Sequence, residues 1–174
     1  MKNINKIITL LLILIFFQNN LSADVPYYVD FKYILNQSSA GKGAQKFLKD
    51  KLNNGIKKIQ DKEKNIQVEE KKIIQQKKLI SADEYKNKVN DLRKKVSSLR
   101  DERNKLLDSV QKQRANARNE LLKNLNPILR TYMKEKKIRM VLDKKGLLLA
   151  DENLDITNDI LKILNNKLKS IKLN

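Results

Sequence analysis

The sequence predicts an α+β protein: a long antiparallel coiled-coil hairpin of two helices rising from a small β-rich body. Three observations predict it. Residues 42–137 are charged, poor in aromatics and apolar mainly at seven-residue spacing. The flanks, 24–41 and 138–174, are more apolar and carry short β-favouring runs. A helix-start signal near 81–83 divides the charged stretch into two apolar stripes that match when the chain is folded back there.

The chain opens on a leader-like segment. Lys2 and Lys6 precede the apolar run Ile7 to Phe17, and Leu21-Ser22-Ala23 offers a small residue for cleavage. The run is too short for a span, which needs roughly 20 apolar residues. The expectation is a signal peptide over 1–23, cut after about Ala23, and export to the periplasm.

Composition then excludes whole classes. There is no cysteine and no histidine, so disulfides, thiolate metal sites and the commonest neutral-pH general base are all missing. Nothing asks for an enzyme or a cofactor. With 33% charged residues, 5% aromatics, four glycines and two prolines, the chain suits long helices better than a large globular core. A net charge of +18 would ordinarily suggest nucleic acid, which an exported protein seldom meets. The anionic partners left are acidic unfolded chains, the membrane surface and lipopolysaccharide. The charge is also segregated: residues 42–137 hold 28 Lys/Arg against 13 Asp/Glu, a net of +15.

In the first arm Leu52, Ile59, Ile66, Ile73 and Ile80 recur every seventh residue, a thin stripe that Gly55 weakens. Ser81 with Glu84 forms a capping box that starts the second arm. That arm carries Tyr85, Val89, Leu92, Val96, Leu99, Leu106, Val110, Ala117 and Leu121, interrupted by Arg103 and Gln113. Folding at the box sets Ile73 opposite Val89, Ile66 opposite Val96, Leu52 opposite Val110 and, as the one poor match, Ile59 opposite Arg103. The expected seam is Leu52, Ile59, Ile66, Ile73, Val89, Val96, Leu106 and Val110. Each arm would be roughly 60 Å long. Exposed basic residues for contacting an anionic partner would be Lys57, Lys64, Lys71, Lys78, Arg93, Arg100 and Arg114. Pro127, where the second arm returns to the base, is expected to be a joint or hinge.

The body is expected to contain a short strand at Val25 to Asp30 and a helical turn at Phe31 to Gln37. A strand hairpin of 138–142 and 147–150 would turn at Asp143 to Gly146. A last helix capped at Asp155 to Thr157 carries Ile160, Ile163, Leu164 and Leu168. Asp143, Asp151, Asp155 and Asp159 read as caps and turns rather than a calcium loop. So few strands leave exposed edges, and strands from several chains closing into a shared barrel would remove them. The interface would then involve Val29, Val141, Leu142, Leu148 and Leu149.

Several stretches together resemble the Skp/OmpH family of chaperones. They are Val29 to Asn36 followed by Ser39-Ala40-Gly41-Lys42, then Met140-Val141-Leu142-Asp143, Leu149-Ala150-Asp151 and Leu154-Asp155-Ile156-Thr157, in that order. The resemblance implies a homotrimer with a β-barrel body and three helical tentacles around a cavity. It also implies an ATP-independent holdase for unfolded outer-membrane proteins. The lipopolysaccharide site proposed for some members has no residue-by-residue counterpart here. From another class, a structural coiled-coil envelope or secretion-apparatus protein would bind folded partners instead.

Overall fold

The computed structural model describes residues 25–173, and the expected leader at 1–23 lies outside them. In chain order it contains strand β1 (Tyr27–Val29), helix α1 (Phe31–Gln37), helix α2 (Ser39–Gln76), helix α3 (Ala82–Lys136), strand β2 (Val141–Asp143) and helix α4 (Thr157–Lys167). Single 3-10 turns at Lys144–Gly146 and Glu152–Leu154 join β2 to α4.

Three of the four helices start at a side-chain cap, whereas α4 follows Ile156, which makes no side-chain cap hydrogen bond. Asp30 accepts from the Tyr33 N–H at 2.7 Å and caps α1. Ser38 closes α1 through its own N–H to the Ile34 carbonyl, and its hydroxyl accepts from the Gly41 N–H at 3.1 Å to open α2. One serine therefore makes the corner between two helices. Ser81 accepts from the Glu84 N–H at 3.2 Å and starts α3, with Asp83 and Glu84 favourably placed at the helix N-terminus. The turn between the arms thus spans 77–81, just before the capping box rather than across it, and Ile80 belongs to the turn instead of the first arm.

The sheet differs from expectation. β1 and β2 pair in parallel, with Tyr27 opposite Val141, Tyr28 opposite Leu142 and Val29 opposite Asp143. On its other edge β1 bridges to Asp155, the Tyr28 carbonyl accepting from the Ile156 N–H at 3.0 Å. The expected hairpin of 138–142 and 147–150 is absent. Residues 147–150 are not a strand, and Leu148 and Leu149 stand 100% and 95% exposed. The reason is local: Asp143 accepts from the Lys145 N–H and winds the chain into a 3-10 turn, so 147–150 leave along a different path.

The core lies where the long helix returns to the body. Leu125, Ile128, Leu129 and Tyr132 form one stripe of α3, facing Ile160 and Leu164 of α4, Ile34 of α1, Val29, Ile138 and Ile156. Val29 is fully buried within its own chain, so the expectation that it lies at a subunit interface is corrected. Its side chain packs into this core from the C-terminal end of β1. Helix α3 runs unbroken through Pro127, which is exposed and flanked by the buried Leu125 and Ile128. The proline therefore lies on the solvent side of α3 where the helix's other side packs into the body.

The acidic residues are tied up structurally. Asp143, Asp151 and Asp155 accept from the N–H groups of Lys145, Asn153 and Thr157. Burial works against the charged form of Asp155, yet hydrogen bonds from Thr157 and Lys144 outweigh it and hold its pKa below the usual carboxylate value. Asp159 accepts the Tyr132 hydroxyl at 2.5 Å, joining α3 to α4. Burial of that hydroxyl first, then the bond and charge of Asp159, push the Tyr132 pKa up to about 12.

A phenol that holds its proton more tightly when folded contributes stability in full below its unfolded pKa of about 10, and loses it as pH rises through the folded value. Urea unfolding should show about 2 kcal/mol lost through this group between pH ~10 and ~12. In Tyr132→Phe that part of the alkaline slope should disappear. An unchanged slope would mean that other titrations govern the alkaline range.

Candidate functional site

The exposed feature of the molecule is the hairpin. At 38 residues α2 is about 57 Å long, and the 55 residues of α3 span about 83 Å because α3 also traverses the body. The arms are antiparallel: Lys62 meets Glu102 and Lys95 meets Glu69, both at 2.6 Å.

The seam is thin. Ile59, Ile73, Leu99 and Val110 are buried, while Leu52, Ile66, Val89 and Leu106 are half-buried. Val96, expected in the seam opposite Ile66, is 52% exposed. Leu99 is buried in its place and shares a groove with Ile66, because three residues further along the helix is nearly a full turn and returns to the partner. Ile59 and Arg103 line a common cavity with Leu106. Gly55 does more than weaken the helix: a Cβ there would lie 2.4 Å from Leu106 Cδ2, so this glycine makes room for the Leu106 side chain in the seam.

Polar contacts supplement this seam. Lys51 donates to Ser109 at 3.0 Å and to Gln113 Oε1 at 2.9 Å, and Gln113 is buried. In the sequence Gln113 reads only as a polar interruption of the stripe. Its mirror relation to Lys51 across the turn is the signal that identifies it as a partner. Nearer the tip, Lys88 donates to Gln76 at 2.9 Å.

The basic residues proposed for contact, Lys57, Lys64, Lys71, Lys78, Arg93, Arg100 and Arg114, are all exposed. Lys57, Lys64 and Lys71 repeat every seven residues on the side of α2 away from α3, and Lys78 lies in the turn. The tip carries Leu79, 82% exposed, and a Lys77 ammonium 5.7 Å from the Tyr85 ring centre.

A second feature lies at the body. Among the described residues β2 pairs only with β1, leaving one strand edge open, and Leu148 and Leu149, later in the same connecting segment, are exposed. Val141 and Leu142 are half-buried. Within one chain, then, four of the five residues considered for an interface keep exposed surface and Val29 has none.

Comparison with known proteins places these features together. The model of the family described as outer membrane protein (OmpH-like) matches residues 27–164, which includes β1, both arms and most of α4. No curated protein matches the chain. Among solved structures, the chain is similar to the 2.83 Å crystal structure of a candidate outer membrane chaperone (OmpH-like) from Caulobacter crescentus. The TM-score is 0.80 at 18% identity, with 91% of this chain and 95% of that one covered. At that identity the likeness establishes the fold.

Proposed function

The chain belongs to the OmpH-like outer membrane protein family, and on that premise we propose that it is an ATP-independent holdase of the bacterial periplasm. It captures unfolded outer-membrane β-barrel proteins and keeps them from aggregating before membrane assembly. The observation that carries this reading is the family match together with a long, exposed, strongly basic hairpin whose seam is thinly packed.

The mechanism follows from the physical character of the arms. A basic arm attracts acidic chain segments over a Debye length of roughly 8–10 Å. Lysine stems place methylenes beside charge and can cover apolar segments while staying hydrated. A seam with few buried residues opens at low cost, so the arms can adapt to clients of different size. Self-association through the open β2 edge, Val141, Leu142, Leu148 and Leu149 would close the sheets into a shared body. Several arms would then act on one client by avidity. A homotrimer is the state this reading adopts, with Pro127 as the joint from which an arm swings.

The test is light scattering on a sizing column, with and without a β-barrel protein diluted from urea. A complex carrying the mass of one soluble client supports the holdase reading. A client that precipitates while the protein elutes unchanged points to a structural coiled coil with folded partners.

Steering has its own readout. Reversing Lys57 and Lys64 to glutamate should slow capture of an acidic client by about tenfold at low ionic strength. The difference should fade near about 1 M salt, where screening is nearly complete. A capture rate unchanged at low salt would show that arm charge does not guide arrival.

A further inference from the structure

The two faces of the hairpin are chemically different. Along one face α2 presents Lys51, Lys62, Glu69 and Gln76, and α3 presents Lys88, Lys95, Glu102, Ser109 and Gln113. The steps are eleven, seven and seven on α2 and seven, seven, seven and four on α3, all close to whole helical turns, so each series is one stripe. These stripes are latched together by Lys51 to Ser109 and Gln113, Lys62 to Glu102, Lys95 to Glu69 and Lys88 to Gln76. Their polar groups already have partners within the chain.

The opposite face is built otherwise. Lys42, Gln45, Lys49, Ile56 and Glu63 form a stripe of α2, stepping by three, four, seven and seven. Val96, Arg103, Leu107, Arg114 and Arg118 form one on α3, stepping by seven, four, seven and four. The stripes adjoin: Ile56, Glu63, Arg103 and Leu107 line one cavity, while Lys42, Lys49, Arg114 and Arg118 line a groove of ≈ 890 Å³ at the base of the arms. That groove has an apolar floor including Leu48, Val110 and Leu121, and no carboxylate lines it. No inter-arm ion pair among the described residues lies on this face. Apolar surface is left open there instead, with Ile56 40%, Leu107 49%, Val96 52% and Ile74 59% exposed.

We infer that the face carrying Lys42, Lys49, Ile56, Leu107, Arg114 and Arg118 is the one that holds the client, and that the latched face only holds the arms together. This rests on the holdase reading and names the surface it uses. The occupant is an unfolded segment combining apolar and acidic side chains. Apolar side chains would cover Ile56, Val96 and Leu107, and carboxylates would meet the four cations around the base groove. The latched face offers neither, since a client carboxylate there would have to compete with Glu69 or Glu102 for a lysine already paired. Phe47 and Val68, also exposed, fall elsewhere on the circumference of α2 and form no stripe with α3.

The chain contains no cysteine, so single introduced cysteines can be labelled uniquely. The experiment places a thiol-linked photo-crosslinker at Leu107→Cys or Ile74→Cys, and separately at Asn65→Cys or Ser98→Cys, which line the latched side. The full mature protein is loaded with an outer-membrane β-barrel protein diluted from urea and irradiated. Several-fold higher crosslinking from Leu107 and Ile74 is expected. In parallel, Arg114→Glu with Arg118→Glu should speed client release, whereas Lys57→Glu with Lys64→Glu, carrying the same charge change, should slow arrival only. Equal crosslinking from both faces, or a preference for Asn65 and Ser98, overturns the face assignment while leaving the holdase reading in place. An unsubstituted protein that holds no client overturns that reading, and the face assignment with it.

Discussion

Replacing Leu148 and Leu149 together by aspartate is expected to reduce the native mass to that of a single chain while leaving the helical circular dichroism unchanged. Both side chains project from the segment that follows β2, at 100% and 95% exposure, so neither contributes to the packing of its own chain. In an assembly they would be buried, and two unpaired carboxylates in an apolar interface cost several kcal/mol. Val29→Asp is the contrasting substitution. That side chain is fully buried among Ile34, Leu125 and Ile160, so aspartate there should unfold the body as well as dissociate it. Sizing with light scattering separates the two outcomes. A Leu148→Asp, Leu149→Asp protein that keeps its oligomeric mass would move the interface to another surface, with the half-buried Val141 and Leu142 next to be tested.

The second large effect is expected at the corner between α1 and α2. A Cβ on Gly41 would lie 1.8 Å from the carbonyl oxygen of Leu35, a backbone atom that cannot move without disrupting α1. The same glycine donates its N–H to the buried Ser38 hydroxyl, so a shift would also break the cap that opens α2. Gly41→Ala should therefore cost about 3 kcal/mol or more, at the upper end for overpacking. Two residues on, a Cβ on Gly43 would meet nothing within 4 Å. Gly43→Ala should gain roughly 0.5–1 kcal/mol from helix propensity alone. Urea midpoints of the two variants should move in opposite directions. A shared direction would mean that the corner is built differently from this description.

The arms were the most legible part because their cause is local and periodic. Seven-residue spacing at Leu52, Ile59, Ile66 and Ile73 describes one side of a helix wherever that helix is placed, and the Ser81 cap acts through its own backbone neighbours. Val96 lies outside the seam because the alternation of three- and four-residue steps allows either Val96 or Leu99 to meet Ile66. Only the relative rotation of the two helices decides between them. The role of Gly55 is illegible for a related reason, since making room for Leu106 is a property of a pair of helices and not of one.

The body was less legible. Residues 138–142 and 147–150 both favour β structure, and a turn signal lies between them, which describes a hairpin when only neighbours along the chain are considered. The fold instead pairs β2 with β1, more than a hundred residues away, because β1 offers an open edge beside the core formed by α3 and α4. The sequence by itself determined the two charged arms, their antiparallel turn, the Ser81 cap that starts the second arm and the segregation of positive charge. Tertiary structure alone decided the parallel strand pair, the burial of Val29, the exposure of Leu148 and Leu149, and which face of the hairpin is latched. Helix periodicity and capping act within a few residues, whereas strand pairing and face-specific ion pairs depend on what distant segments bring alongside.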